Sequence, residues 1–379
     1  MNIIKGGVTK PQGFKANGLC CGIKRSGKPD LGLIFSEKEA VTVGVFTRNS
    51  IKAAPLKVSQ RHLRDNKARA IIVNSGNANC LTACGIDYAE RTAKLIAEKL
   101  NIGVTDVVVA STGIIGKPLP YKKIENSASR LVEGLRTRNA DEFARSILTT
   151  DTRTKQVCVR LSVGGTHVTI GACAKGSGMI APDMATMLAF ITTDVAITAK
   201  MLKLALKKAT ERSFNCISID GCMSTNDMVV VMANGLASNR LIGCEGQDFD
   251  SFCKGLEFVC LELAKKIVLD GEGATKFIEI NVNGAKTSTQ AKKIAMAVAN
   301  SSLVKTAAYG SNPNWGRVAA AVGSLGISNI TEETMKINFS PFSRKNITIS
   351  IALSLGDGEA TVYTSDLSKE YIEINGRYN

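Results

Sequence analysis

Histidine is nearly missing from this sequence: among 379 residues only His62 and His167 carry an imidazole. His62 lies among charges in QRHLRD and His167 in the alternating segment GGTHVTIG, contexts of structural or surface residues. That scarcity argues against Ser–His–Asp and Cys–His catalysis, which need a positioned imidazole, and against zinc, which draws on His and Cys clusters, so no metal is expected. Aromatic residues make up only 5% with a single Trp, so the core must be built from Ile, Val, Leu and Ala, a composition suited to sheets covered by helices. No stretch approaches the roughly 18 uninterrupted apolar residues of a membrane span, and the opening MNIIKGGVTKPQGF has no apolar signal core. The eleven cysteines include no C-x-x-C pair; Cys20 and Cys21 are adjacent, Cys80 and Cys84 four apart, and most sit in apolar runs. Those are the marks of buried small hydrophobes in a reducing compartment, and the expectation is a cytoplasmic protein.

The chain does carry a strong positive balance, with a formal net charge of +15. Its Lys and Arg residues are scattered and no aromatic-plus-basic stacking motif accompanies them, which favours a solvated basic surface over nucleic-acid binding. Attraction of small anionic substrates is also compatible with this charge. The length suits one large or two ordinary domains, and no repeat or low-complexity segment divides it.

Along the chain, apolar strand-like runs repeatedly empty into loops of Thr, Ser, Asn and Gly. LGLIF at 31–35 and AVTVGVFTR at 40–48 read as two strands, and Ala70–Val73 as a third that runs into NSGNAN, a loop that is either a turn or a polar binding rim. Asp87–Leu100 has helical periodicity. Val107–Ala110 predicts a strand followed by Ser111, Thr112 and Gly113, where a hydroxyl and a backbone N–H could face one oxygen, as an oxyanion site requires, or form an ordinary turn. Residues 121–147 are helical in pattern, 156–174 alternate as strands, and 200–212 and 249–269 are helical. Asp220, Ser224, Thr225, Asn226 and Asp227 crowd one turn, which is structural or site-lining. Glu272, between Gly271 and Gly273, is a loop charge or a carboxylate placed for a substrate ammonium. The tail from Lys336, including EYIEIN, reads as alternating strands.

The central stretch KGSGMIAPDMATMLAFITTDV brings these features to a point. Lys175 supplies a cation, Gly176 and Gly178 leave room for close approach, and Pro182 fixes a bend. The small Ala185 is followed by Thr186, a hydroxyl at the entry to an apolar strand. With no imidazole as base, a hydroxyl nucleophile needs another activator, and a terminal α-amino group, with a reference pKa near about 8, is one. A threonine gains that amine only if the preceding peptide bond is cut.

KGSGMIAPDMATML resembles the cleavage signature of the ornithine acetyltransferases, also called bifunctional glutamate N-acetyltransferases, of arginine biosynthesis. GVFTRNSIKAAP, IIVNSGNAN, VASTGIIGKPLP, TTDT, SFNCISIDGCMSTND, DGEGATKFIEI, LVKTAAYGSNPNWGR and YIEINGRY also look like family blocks, in the family's order. The resemblance implies self-cleavage between Ala185 and Thr186 into an α chain, 1–185, and a β chain, 186–379, that remain together, typically as α2β2. It implies Thr186 as N-terminal nucleophile, Thr112 and Gly113 as oxyanion pair, and Thr152, Lys175, Glu272 and Asn375 at substrate-contacting positions. The family usually continues a few residues past the tyrosine to a terminal Thr or Ser that also contacts substrate; here the sequence stops at Tyr378–Asn379, so that contact is either made differently, for instance by Asn379, or absent. The activity implied is ping-pong acetyl transfer from N-acetylornithine to glutamate through an acetyl-threonine ester, with no cofactor. Some family members also accept acetyl-CoA, and the absence of a nucleotide fingerprint leaves that donor open here. The fold expected is mixed α/β, similar in logic to N-terminal nucleophile hydrolases but with the family's own topology, and with a smaller C-terminal portion over roughly 280–379. An N-terminal-nucleophile amidase or aminopeptidase is the nearest alternative, and a basic nucleic-acid-binding protein a more distant one.

Overall fold

The computed structural model describes residues 1–181 and 187–377, arranged as two sheets covered by helices. Strands β1 (Asn2–Ile3), β2 (Phe14–Leu19), β3 (Leu31–Phe46), β4 (Lys67–Asn77), β5 (Val107–Ile114), β6 (Lys155–Val163), β7 (Thr166–Lys175), β8 (Leu188–Thr193) and β10 (Met228–Ala233) form the larger sheet. Its order is β1-β6-β7-β8-β10-β3-β4-β5, with β2 also paired to β3. The smaller sheet joins β9 (Ile217–Ser218), β11 (Phe277–Ala285), β12 (Met335–Phe339), β13 (Asn346–Leu353) and β14 (Gly358–Ser365) in the order β12-β13-β11-β14-β9. The helices are α1 (Ala54–His62), α2 (Gly85–Leu100), α3 (Tyr121–Glu133), α4 (Ala140–Ser146), α5 (Ala199–Glu211), α6 (Gln247–Leu269), α7 (Ser288–Ala299), α8 (Ser302–Tyr309), α9 (Trp315–Gly323) and α10 (Lys369–Gly376).

The strands LAFITT and MVVVMA are parallel neighbours with every residue buried, because both faces of the larger sheet are covered. Leu188, Phe190, Met228 and Val230 face one core with Phe14 and Phe143. Their alternates Ala189, Ile191, Val229 and Val231 face Leu202, Leu206, Leu256 and Leu263 of α5 and α6. At the β5 edge, Ile72, Val107 and Val109 pack with Ala93 and Ile96 of α2 and Ile124 and Ala128 of α3. The smaller sheet has its own core, in which Ile278, Ile280 and Val282 meet Ile294, Ala295 and Val298 of α7. This is the mixed α/β architecture expected from the composition.

Four local expectations change. LGLIF and AVTVGVFTR are one strand, β3, with its register shifting between Phe35 and Ala40, so the charged SEKE stretch crosses a bulge instead of separating two strands. NSGN and STGI are likewise strand, not loop: β4 and β5 continue in parallel, pairing Asn74 with Ser111 and Ser75 with Thr112. Their polar side chains are tolerated inside because each finds a partner, as where Ser111 Oγ donates to Asn74 Oδ1 at 2.5 Å and Asn74 Nδ2 to the Asn77 carbonyl at 2.9 Å. Finally, EYIEIN is the helix α10, because Ser368 caps it by accepting the Tyr371 N–H at 3.2 Å.

His62 is buried, its Nδ1 2.7 Å from the Val107 carbonyl oxygen, and His167 is exposed, so neither stands at a catalytic centre. All eleven cysteines are free. Among the described residues no helix is long and apolar enough to cross a membrane.

Candidate active site

A cleft opens where the ends of β5 and β7 meet the segment before β10 and the loop after α6. The β5 wall is Thr112 and Gly113. Gly113 has φ +132°, and a Cβ there would lie 2.4 Å from the Gly76 carbonyl carbon, so only glycine lets the two parallel strands close at this point. The Thr112 side chain is held by a cation: Lys175 Nζ lies 3.4 Å from its Oγ1.

Lys175 ends β7 directly opposite Leu188 at the start of β8. It is almost wholly buried, with Asp151 Oδ2 4.0 Å from its Nζ. Burial lowers its pKa, a shift that the Asp151 charge opposes and the Lys155 charge reinforces.

Beneath the floor lies a buried charged lattice. Lys155 Nζ bridges Asp151 Oδ1 at 2.6 Å and Asp270 Oδ2 at 2.5 Å, and all three side chains are excluded from solvent. Asp151 also accepts the Gly176 N–H at 2.7 Å and the Thr149 N–H at 3.1 Å, which shapes both loops lining the cleft. Burial would raise the Asp151 pKa, but Lys155, Lys175 and these hydrogen bonds hold it well below the carboxylate range. Asp270 accepts the Thr152 N–H at 3.1 Å as well as the Thr152 hydroxyl.

On the far wall, Glu272 Oε2 accepts from Asn375 Nδ2 of α10 at 2.8 Å. Gly178 makes room for it, since a Cβ at that position would stand 2.3 Å from the same oxygen. The Glu272 N–H donates to the Ser177 carbonyl at 2.8 Å, and Ser177 Oγ lies 2.7 Å from Thr150 Oγ1. Asp220 clamps the outer part of this loop, accepting the N–H groups of Met179 at 2.5 Å and Ile180 at 2.8 Å and the Tyr371 hydroxyl at 3.3 Å.

The structure therefore brings Thr112, Gly113, Lys175, Glu272 and Asn375 around one cleft. Thr152 is not among the residues lining the cleft: its hydroxyl donates to Asp270, while the neighbouring Thr149 and Thr150 line it. Ala185, Thr186 and Asn379 lie outside the described residues. The charged lattice of Asp151, Lys155 and Asp270 was not singled out from sequence, although a lysine heading the apolar run QVCVRLSV and an aspartate closing IVLDG were visible signals. In the sequence Asn226 stands out only as part of a crowded turn. Its Nδ2 donates to the carbonyls of Ala78 at 2.7 Å and Ser111 at 2.8 Å, fixing the peptide unit that carries the Thr112 N–H.

The ArgJ family model matches residues 15–379. The arginine biosynthesis bifunctional protein ArgJ of Geobacter sulfurreducens is 42% identical over 389 residues, spanning 97% of this chain and 99% of its own. The glutamate N-acetyltransferase of Methanocaldococcus jannaschii is 42% identical over 409 residues, with both chains covered completely. Among solved structures, the arginine biosynthesis bifunctional protein of Bacillus halodurans is 42% identical where it aligns. That alignment covers 48% of this chain and 98% of the solved one, with a TM-score of 0.46.

Proposed function

This chain belongs to the ArgJ family, and from that premise we propose that it is an arginine-biosynthesis acyltransferase that moves an acetyl group from N-acetylornithine to glutamate after cutting itself at Ala185–Thr186. The observation that carries the reading is the meeting of Thr112, Gly113, Lys175 and Glu272 in one cleft beside the entry to β8, the strand that Thr186 precedes by two residues. In the self-cleavage, the Thr186 hydroxyl attacks the Ala185 carbonyl, the peptide nitrogen leaves as an amine, and water hydrolyses the resulting ester. The chains 1–185 and 186–379 stay associated, because β7 and β8, on either side of the cut, are hydrogen-bonded neighbours in one sheet. We assign the mature enzyme to the cytoplasm as an α2β2 assembly.

In turnover, the α-amine takes the Thr186 hydroxyl proton as the oxygen attacks the acetyl carbonyl of N-acetylornithine. Thr112 Oγ1 and the Gly113 N–H donate to the developing oxyanion, with Lys175 adding positive charge in a site where burial strengthens it. Collapse returns the proton to the ornithine α-nitrogen, which leaves. The glutamate amine then attacks the acetyl-threonine ester by the reverse sequence, releasing N-acetylglutamate and the free hydroxyl. Glu272 receives the ornithine side-chain ammonium, and Lys175 faces a carboxylate of the substrate.

The deciding assay supplies N-acetylornithine with and without glutamate. Transfer predicts N-acetylglutamate equal to the ornithine released, whereas an amidase or aminopeptidase of related chemistry would release acetate without glutamate; acetyl-CoA offered in place of N-acetylornithine tests the second donor. Thr112→Val, which keeps the shape and removes one oxyanion donor, is expected to lower kcat by about 10²–10³-fold. Glu272→Gln is expected to raise KM for N-acetylornithine by about tenfold or more, the value of a charge-assisted hydrogen bond, with kcat changed much less. An equal fall in kcat and unchanged KM would place Glu272 in the chemical step instead.

A further inference from the structure

Strand β5 ends the larger sheet, so among the described residues no strand pairs with its outer edge. The main-chain groups on that edge are met by side chains instead, at every second residue. The Val107 carbonyl oxygen lies 2.7 Å from His62 Nδ1. Ser59 Oγ donates to the Val109 carbonyl at 2.7 Å and accepts the Val109 N–H at 2.8 Å. Asn226 Nδ2 donates to the Ser111 carbonyl at 2.8 Å. A bare sheet edge is a liability that folded proteins cover, and here His62, Ser59 and Asn226 cover it position by position. The next place in the series is Gly113, which lines the cleft and carries the N–H assigned to the oxyanion.

Gly113 has no side chain to anchor it and stands at φ +132°, so its N–H needs support from elsewhere to act as a catalytic donor. Such a donor stabilises a transition state only when it is held in place before the reaction. Resting on the acetyl-transfer reading above, we propose that Asn226 is a positioning residue for the oxyanion site: by gripping the Ser111 carbonyl it fixes how Thr112 and the Gly113 N–H face the acetyl oxygen. The Ser111 carbonyl belongs to the peptide that enters Thr112, and only the φ and ψ of Thr112 separate that peptide from the Gly113 N–H. A tilt of that peptide moves both donors together. The buried Asn226 amide is itself fixed at every polar atom: Nδ2 donates to the Ala78 carbonyl at 2.7 Å as well as to Ser111, and Oδ1 accepts from Thr225 Oγ1 at 2.6 Å. The segment that bears it is anchored in turn, since the Ala53 N–H donates to the Thr225 carbonyl at 3.0 Å and Thr47 Oγ1 to the Ser224 carbonyl at 2.9 Å. With both of its hydrogens committed to main-chain carbonyls, Asn226 acts through the strand and not on the substrate.

The test measures kcat and KM for acetyl transfer in wild type, Asn226→Ala, Thr112→Val and the double variant, with circular dichroism and urea unfolding to establish that each is folded. Asn226→Ala is expected to lower kcat by about 10²-fold, the scale of misplacing reacting groups from a distance, while KM for N-acetylornithine stays within about threefold. Because both substitutions act on one site, the double variant should lose far less than the product of the two single losses. A folded Asn226→Ala enzyme with wild-type kcat would overturn the proposal. So would losses that multiply, which would separate Asn226 from the oxyanion site, and so would a raised KM with kcat kept, which would make it a substrate contact. If Asn226→Ala does not fold, Thr225→Val takes its place: it keeps Asn226 and the shape at 225 and removes the hydrogen bond to Oδ1 that orients the amide. Its kcat should fall about 2–10-fold, the worth of one hydrogen bond, at unchanged KM, and an unchanged kcat overturns the proposal. A wild-type protein that transfers no acetyl group would overturn the acetyl-transfer reading itself, a result distinct from all of these.

Discussion

Thr186→Ala is expected to remain one 379-residue chain under denaturing conditions, where wild type is expected to give two fragments that meet at Ala185 and Thr186. Its acetyl transfer should fall by at least about 10⁴-fold, the scale seen when a nucleophile that acts as a unit with its base is removed. The size follows from what a single substitution takes away. Without the hydroxyl the Ala185 carbonyl is not attacked, so no amine is released. The site then lacks nucleophile and base together, and neither histidine can substitute, since His62 is buried against the Val107 carbonyl and His167 is exposed. Thr186→Ser keeps both functions and should cleave and transfer at a measurable rate. Intact mass and an acetyl-transfer assay on the three proteins read both effects. A Thr186→Ala chain that still divides at this bond would show that another group performs the cut, and the proposed mechanism would have to be abandoned.

The fold was legible where sequence periodicity and burial agree. LAFITT and MVVVMA announce strands because continuous apolar runs of that length suit a sheet covered on both faces, and that is where they lie. Sequence pattern and structure part where polar residues are buried in strands. NSGN and STGI look like loops because Asn, Ser and Gly are the usual turn formers, yet strands hold them once cross-strand pairing and side-chain hydrogen bonds supply every polar group. The tail failed for a different reason: Y-I-E-I alternates like a strand, but eight residues are too few to separate the two periods, and the Ser368 cap decides.

For the site, residue types and family blocks pointed to Thr112, Gly113, Lys175, Glu272 and Asn375, which converge in the fold. What was not legible was their support. That Asn226 fixes the Ser111 carbonyl and that Asp151 holds both Gly176 and Thr149 are contacts over 25 or more residues of sequence separation in two of the three cases, 115 for Asn226–Ser111 and 25 for Asp151–Gly176. No spacing rule reports such pairs, because they exist only once strands from distant segments have been brought side by side.

Lys155→Met should be the most destabilising single change in that support. Lys155 is wholly buried and its ammonium is shared by two buried carboxylates, Asp151 and Asp270. Methionine fits the volume and removes the charge, so two carboxylates are left facing each other without their common counter-ion. Breaking a buried pair from one side costs about 3–5 kcal/mol, far more than the pair is worth against a well-packed apolar replacement. Thermal or denaturant unfolding should register that loss, and adding Asp270→Asn to Lys155→Met should return part of it, because one of the stranded charges is then gone. The pH dependence has a definite sign. The Asp151 pKa is depressed in the folded protein, so its contribution is present above the unfolded-state value near about 3.9 and is lost as pH falls through that value toward the folded one. Removing Lys155 raises the folded pKa, so the variant's deficit relative to wild type should be largest at neutral pH and narrow on acidification. Catalysis should suffer as well, since Asp151 shapes the loops bearing Gly176 and Thr149 on the cleft side. A Lys155→Met protein as stable as wild type at neutral pH would mean that these carboxylates take up protons or water in its place, and that the lattice does not hold the floor of the site.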